Sequence, residues 1–145
     1  MESVLSPIAG KYISVWSYQG GSWKTYDPAK PTLSKLTRIE SGLGYWIDMK
    51  ETATLSVSGS PPGKSISLAI GKDGWNLVGY NSVTPQKIET AFSSIAGKIV
   101  TVWAFVNNRW IVCNPDKPIF TSLFTAQPGY GYWVNVKEDC TWTLP

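Results

Sequence analysis

Apolar and polar residues alternate in short blocks along this chain, and several of the blocks occur twice. "YISVWSY" (12–18) and "SWKTYD" (22–27) flank a Gln-Gly-Gly tip, while "IVTVWAFV" (99–106) and "RWIVC" (109–113) flank Asn-Asn. Both pairs predict β-hairpins. Side chains on a strand alternate between faces, so Ile13 and Val15 are expected opposite Trp16 and Tyr18, and Val100 and Val102 opposite Trp103 and Phe105. A strand apolar on both sides belongs near the middle of a sheet. The recurring "GLGYWIDMK" (42–50) and "GYGYWVNVK" (129–137) read as a further strand. One face carries Tyr45, Ile47 and Met49, or Tyr132, Val134 and Val136, and is expected to be core. The other carries Trp46, Asp48 and Lys50, or Trp133, Asn135 and Lys137. "TATLSV" (52–57) and "CTWTL" (140–144) predict closing strands.

Helical spacing is brief. Thr84 as N-cap and Pro85 at the first helical position precede Ile88, Ala91, Phe92 and Ile95 at i, i+3, i+4 and i+7, and Gly97 follows. Val4, Leu5 and Ile8 give the same helix at the start of the chain. The loops "DPAKPTLSKL" (27–36) and "NPDKPIFTSL" (114–123) place Asp27 or Asn114 before Pro, where either side chain bonds its own backbone in a turn.

Sliding the chain by 87 positions aligns residues 1–58 with 88–145 without a gap, with 20 of 58 pairs identical. This is an internal duplication. Residues 59–87, containing "SISLAIGKDGWNLVGYNS", occur once and form a connector, with "SPPGK" (60–64) as its turn-rich boundary. The fold class expected is mainly β: two duplicated halves about a pseudo-twofold axis, each a short helix with about four antiparallel strands, sandwich- or barrel-like. Connector strands would complete a shared core in one compact domain. A segment of a longer tandem array is the other arrangement that fits.

Composition narrows the function. The 145 residues are 43% apolar and 13% aromatic, enough to fill a core rather than remain disordered. The net charge of +3 comes from dispersed lysines, without the basic stripe that neutralises phosphates, so nucleic acid is not an expected partner. No apolar run is long enough to suggest membrane insertion. With no histidine and two cysteines, a metal site cannot be assembled from the usual ligands, and no cofactor is expected. The Gly-x-Gly pairs lack a following helix for phosphate binding and are expected to serve a tight turn or a close backbone approach.

The absence of histidine also removes Ser-His and Cys-His chemistry, so no enzyme is expected. Asp27, Glu40 and Asp48 become Asn114, Gln127 and Asn135 in the second copy, which keeps hydrogen bonding and loses ionisation. Such exchanges suit binding better than the paired carboxylates of a glycosidase. An indole beside a hydrogen-bonding group is how sugar-binding surfaces combine stacking with polar contacts. Trp46, Asp48, Trp133 and Asn135 are therefore the candidate contacts, with Trp23 and Trp110 after the hairpin tips as additional plates. Against this stands burial, since hiding a Trp removes roughly 150–250 Å² from water, and Trp46 and Trp133 could lie beneath the opening helix or a loop. Trp75 and Trp142 are expected to be structural. Cys113 and Cys140 replace Tyr26 and Ala53 of the first copy, a large and a small residue, as expected if the sites touch. A disulfide and two free thiols both remain open.

"GWNLVGYNS", "VWAF", "RWIVCNPDKP" and "PGYGYWVNV", with "VWSY", "SWKTYDPAKP" and "GLGYWIDM" in the first copy, resemble the Trp-rich repeats of secreted and cell-surface proteins of bacteria and archaea. The resemblance implies an extracellular accessory domain, secreted or on the cell surface, whose partners include neighbouring domains of a larger chain, and it implies no catalytic residues. Cys113 and Cys140 are a departure, unmatched in the first copy. Two functions are carried forward: a non-catalytic module binding a polysaccharide or other glycan through exposed Trp, and a structural or protein-interaction repeat with no small ligand.

Overall fold

The computed structural model describes residues 1–60 and 63–145. Pro61 and Pro62 of the expected boundary turn lie outside the described residues. The chain opens with α1 (Glu2–Leu5) and a 3-10 turn (Ser6–Ile8), followed by β1 (Tyr12–Gln19), β2 (Ser22–Tyr26) and β3 (Trp46–Met49). The connector holds β4 (Ser65–Leu68) and β5 (Trp75–Gly79). Then come β6 (Gln86–Lys87), α2 (Ile88–Ala91), a 3-10 turn (Ser93–Ile95), β7 (Ile99–Val106), β8 (Arg109–Cys113), β9 (Thr125–Ala126), β10 (Gly131–Val136) and β11 (Cys140–Thr143). The fold is mainly β, with several antiparallel sheets and, among the described residues, no closed barrel.

One sheet has the order β2-β1-β3 and another β5-β10-β7-β8, while β11 pairs with β4 and β6 with β9. β5 has a neighbour on each edge. Along one it pairs with β10, and along the other Gly44 N–H donates to Leu77 O at 3.0 Å while Gly79 N–H donates to Gly42 O at 3.1 Å. Both hairpins close with two residues of positive φ, Gly20–Gly21 and Asn107–Asn108, which matches the twist of the flanking strands.

Simple alternation fails near the start of each long strand. A register shift between Tyr12 and Ser14 inserts Ile13 as an extra residue opposite β3, and the matching shift against β10 makes Val100 the extra residue of β7. A bulge turns the following side chains over. Tyr12 and Val15, like Ile99 and Val102, are therefore buried, while Ile13 and Val100 face outward, contrary to the expectation that Ile13 shares a face with Val15 and Val100 with Val102.

Buried apolar residues form two clusters rather than one. The smaller gathers Leu5, Ile8, Tyr12, Val15, Tyr26 and Leu36. The larger combines Ile66, Leu68, Val78 and Tyr80 of the connector with α2, β7, β10 and β11. Its largest fully buried side chain is Trp142, 0% exposed, which stacks on Phe92 at 4.2 Å and 7° and donates its indole N–H to Ala91 O at 2.7 Å.

Two local expectations need correction. Thr84 does not cap a helix, because Gln86 and Lys87 are extended against Ala126 and Thr125, so α2 begins only at Ile88. Its apolar spacing holds, since Ile88, Ala91, Phe92 and Ile95 are all buried. "TATLSV" forms no strand, while the matching β11 is paired along its length with β4.

Candidate functional site

β1 and β7 each turn one face inward and the other toward an open groove. On β1, Val15 and Ser17 are buried, and Ser17 Oγ donates to Gly44 O at 3.0 Å. Trp16 and Tyr18 consequently face out. On β7, buried Val102 and Ala104 leave Trp103 and Phe105 on the outer side. Antiparallel register then sets Trp16 opposite Trp46 and Trp103 opposite Trp133, and at the hairpin ends Tyr18 opposite Trp23 and Phe105 opposite Trp110. Cross-strand neighbours of this kind make each wall a patch of rings.

The walls meet crosswise. Trp133 touches Tyr18 at 5.3 Å and Trp23 at 5.5 Å, whereas Trp46 touches Phe105 at 5.4 Å and Trp110 at 5.5 Å. Between them lies a groove of about 920 Å³ lined by seven of the eight tryptophans together with Tyr18 and Asp73. Planes of these touching rings cross at 51° to 84°, so the lining is notched rather than flat. Among the described residues, only Trp16 and Trp142 give their indole N–H to a protein acceptor, Ser14 Oγ in the first case and Ala91 O in the second. The other six indole N–H groups are free to donate elsewhere.

Of the repeated glycines that open the Tyr-Trp strands, Gly44 lies in a close backbone approach and Gly131 does not. A Cβ at Gly44 would stand 2.8 Å from Leu77 Cγ and 2.8 Å from Val78 O, and one at Gly131 would stand 3.8 Å from Gly44 Cα. Gly42 and Gly129 have positive φ, +84° and +80°, and make the turns that lead into these strands.

The residues singled out in the sequence divide. Trp46 and Trp133 are half-buried and line the groove, Trp46 packed against Phe105 and Trp110 and Trp133 against Tyr18 and Trp23. Trp23 and Trp110 also line it, at 47% and 48% exposed. Asp48 and Asn135 lie further along their strands and are not part of the lining. Asp48 is exposed, paired in register with Ser14, while Asn135 Nδ2 donates to Asp73 O at 2.9 Å and so holds a connector turn. The polar group in the groove is instead Asp73, whose Oδ2 accepts from Tyr18 Oη at 2.9 Å and whose Oδ1 accepts from Trp75 N–H at 3.2 Å. That bond to a carboxylate pushes the Tyr18 phenol up from its ordinary range. Trp75, expected to be structural, lines the groove, while Trp142 is the structural one.

Sequence reasoning passed over Asp73, Trp75, Trp16 and Trp103. A signal existed for the last two, because each alternates with small or aliphatic residues that fill the inward positions.

Cys113 and Cys140 are free thiols. One ends β8 and the other opens β11, each partly buried against the larger core, and burial pushes both thiols up.

No protein-family model, curated protein or solved structure matches this chain.

Proposed function

We propose that the aromatic groove is the binding face of a non-catalytic module that takes a single polysaccharide chain. One observation carries this reading: seven indoles are gathered on an open surface when the fold has a core that encloses Trp142 completely. Apolar area left in water forgoes roughly 25 cal/mol per Å², and large exposed apolar patches mark binding surfaces. Sugar rings present apolar C–H faces and a rim of hydroxyls, which suit indole faces flanked by free N–H donors. Crossed ring planes favour one chain lying in a cleft over a flat crystalline surface. A single carboxylate lines the groove, whereas glycoside hydrolysis uses two, which supports binding without turnover.

The crossed contacts support a pseudo-twofold arrangement of two related halves. Trp46 and Trp133, Tyr18 and Phe105, and Trp23 and Trp110 stand 87 positions apart, and each half's Tyr-Trp strand meets the other half's hairpin. The resemblance to Trp-rich surface repeats would set such a module outside the cell, on a secreted or surface chain.

A protein-interaction repeat is the second reading. It is favoured by Ile119, Phe120 and Phe124, the first 84% exposed, which lie outside the groove and which sugar recognition does not explain.

Affinity electrophoresis through soluble polysaccharides, paired with acrylamide quenching of tryptophan fluorescence with and without oligosaccharides, tests the primary reading. Retarded migration and ligand-protected fluorescence are expected. Unretarded migration on a broad polysaccharide panel would remove it.

A further inference from the structure

The two walls of the groove are alike in shape and unlike in chemistry. On one, Tyr18 packs against Trp23 and Trp133 at 5.4 and 5.3 Å, and on the other Phe105 packs against Trp110 and Trp46 at 5.2 and 5.4 Å. The rings correspond and the hydroxyl does not. Tyr18 Oη donates to Asp73, whereas Phe105 has nothing to donate. Asp73 comes from the segment that occurs once, so the opposite wall carries no carboxylate in the lining.

Asp73 is also fixed in place. Trp75 N–H and Tyr18 Oη bind its two carboxylate oxygens, and Asn135 Nδ2 binds its backbone carbonyl. A carboxylate has about four acceptor positions, of which these bonds occupy two. The side chain is exposed and forms no ion pair among the described residues.

We infer that Asp73 determines specificity in the groove, selecting a saccharide that brings hydrogen-bond donors, favouring an amino sugar over its neutral analogue and refusing uronates. This rests on the saccharide reading above. An ammonium or hydroxyl group donates to the open carboxylate positions, and the ammonium bond is charge-assisted. A uronate carboxylate meets like charge, with no lysine or arginine in the lining to offset it. Because only the Tyr18 wall is charged, the ligand lies in one direction along a cleft whose aromatic walls alone would accept either.

Tryptophan fluorescence titrations of the intact protein with equal-length oligomers of glucosamine, N-acetylglucosamine and galacturonate, at mildly acidic pH and low salt, test the inference. The glucosamine oligomer is expected to bind about two- to fivefold more tightly than its acetylated analogue, the range of an exposed charge pair. That advantage shrinks as salt is added, a readout that needs no variant. Galacturonate binds weakest. Asp73→Asn, its fold checked by thermal melting, is expected to lose the ranking, with the glucosamine oligomer no longer binding more tightly than its acetylated analogue. Galacturonate binding as tight as N-acetylglucosamine, or a ranking unchanged by Asp73→Asn, overturns the role of Asp73 and leaves the saccharide reading standing. Binding of none of the three overturns the role of Asp73, and the saccharide reading falls with it if the broad polysaccharide panel is also unretarded.

Discussion

Trp133 lies against Trp23 with ring centroids 5.5 Å apart and planes at 68°, a contact between the last long strand and the first hairpin. Trp46 and Trp110 make the reciprocal contact at 5.5 Å. The hairpin indoles are the more exposed member of each pair, so truncating both tests binding with the least disturbance to the core. Trp23→Ala with Trp110→Ala is expected to weaken oligosaccharide binding about thirtyfold, corresponding to a lost aromatic anchor of about 2 kcal/mol, with the far-ultraviolet spectrum retained. Undiminished binding in calorimetry would move the site elsewhere.

Trp142 should behave oppositely. It is sealed, stacked on Phe92 and hydrogen-bonded to Ala91 O. Trp142→Ala is expected to cost about 3–5 kcal/mol, read from urea unfolding, through the cavity it leaves. A loss below about 1 kcal/mol would mean that the larger core does not depend on this ring.

The repeated Gly-x-Gly positions separate in a similar way. A methyl group at Gly44 would overlap Leu77 Cγ and the Val78 carbonyl, while one at Gly131 meets nothing closer than 3.7 Å. Gly44→Ala is therefore expected to destabilise by about 1–3 kcal/mol and Gly131→Ala to be tolerated. Equal effects in parallel denaturation curves would contradict the close approach at Gly44.

Much of this organisation was legible in the chain and some was not. Period-two spacing located both hairpins and the Tyr-Trp strands, and helical spacing found Ile88, Ala91, Phe92 and Ile95. Two bulges defeated the same rule at Ile13 and Val100, because an extra residue reverses the faces without altering composition. The site was legible only in pieces. Trp46 and Trp133 read as separate plates, one per copy, since nothing local says that two strands will bring their outer faces together. Asp73 was invisible for the same reason: its role depends on a hydrogen bond to Tyr18 across sheets.

Alkaline pH provides a test of the smaller core. Burial, with the Glu2 carboxylate and Tyr12 beside it, pushes the Tyr26 phenol from 10.0 up to about 12. Tyr26 Oη donates to Glu2 Oε1 at 3.3 Å. The folded chain thus holds this proton more tightly than the unfolded chain, so its contribution is fully present below pH 10.0 and is lost as pH rises toward about 12. Tyr12, raised chiefly by burial, acts in the same direction. Tyr26→Phe is expected to flatten the fall in urea midpoint across that window. An unchanged slope would assign the alkaline loss to other groups.

The cysteines give a simple chemical check. As free, partly buried thiols raised by burial, both should alkylate slowly in the folded protein and fully after unfolding, each adding one label by mass spectrometry. Labelling that requires a reductant would indicate a bridge.

The strand Trp75–Gly79 bonds residues 42–44 on one edge and Gly131–Val136 on the other. Melting either neighbour strips it of a row of partners, and withdrawing it opens both at once. The chain should accordingly melt in a single cooperative step despite its two hydrophobic clusters, and a fragment ending at residue 58 would lose the strand that ties its last turn to the rest.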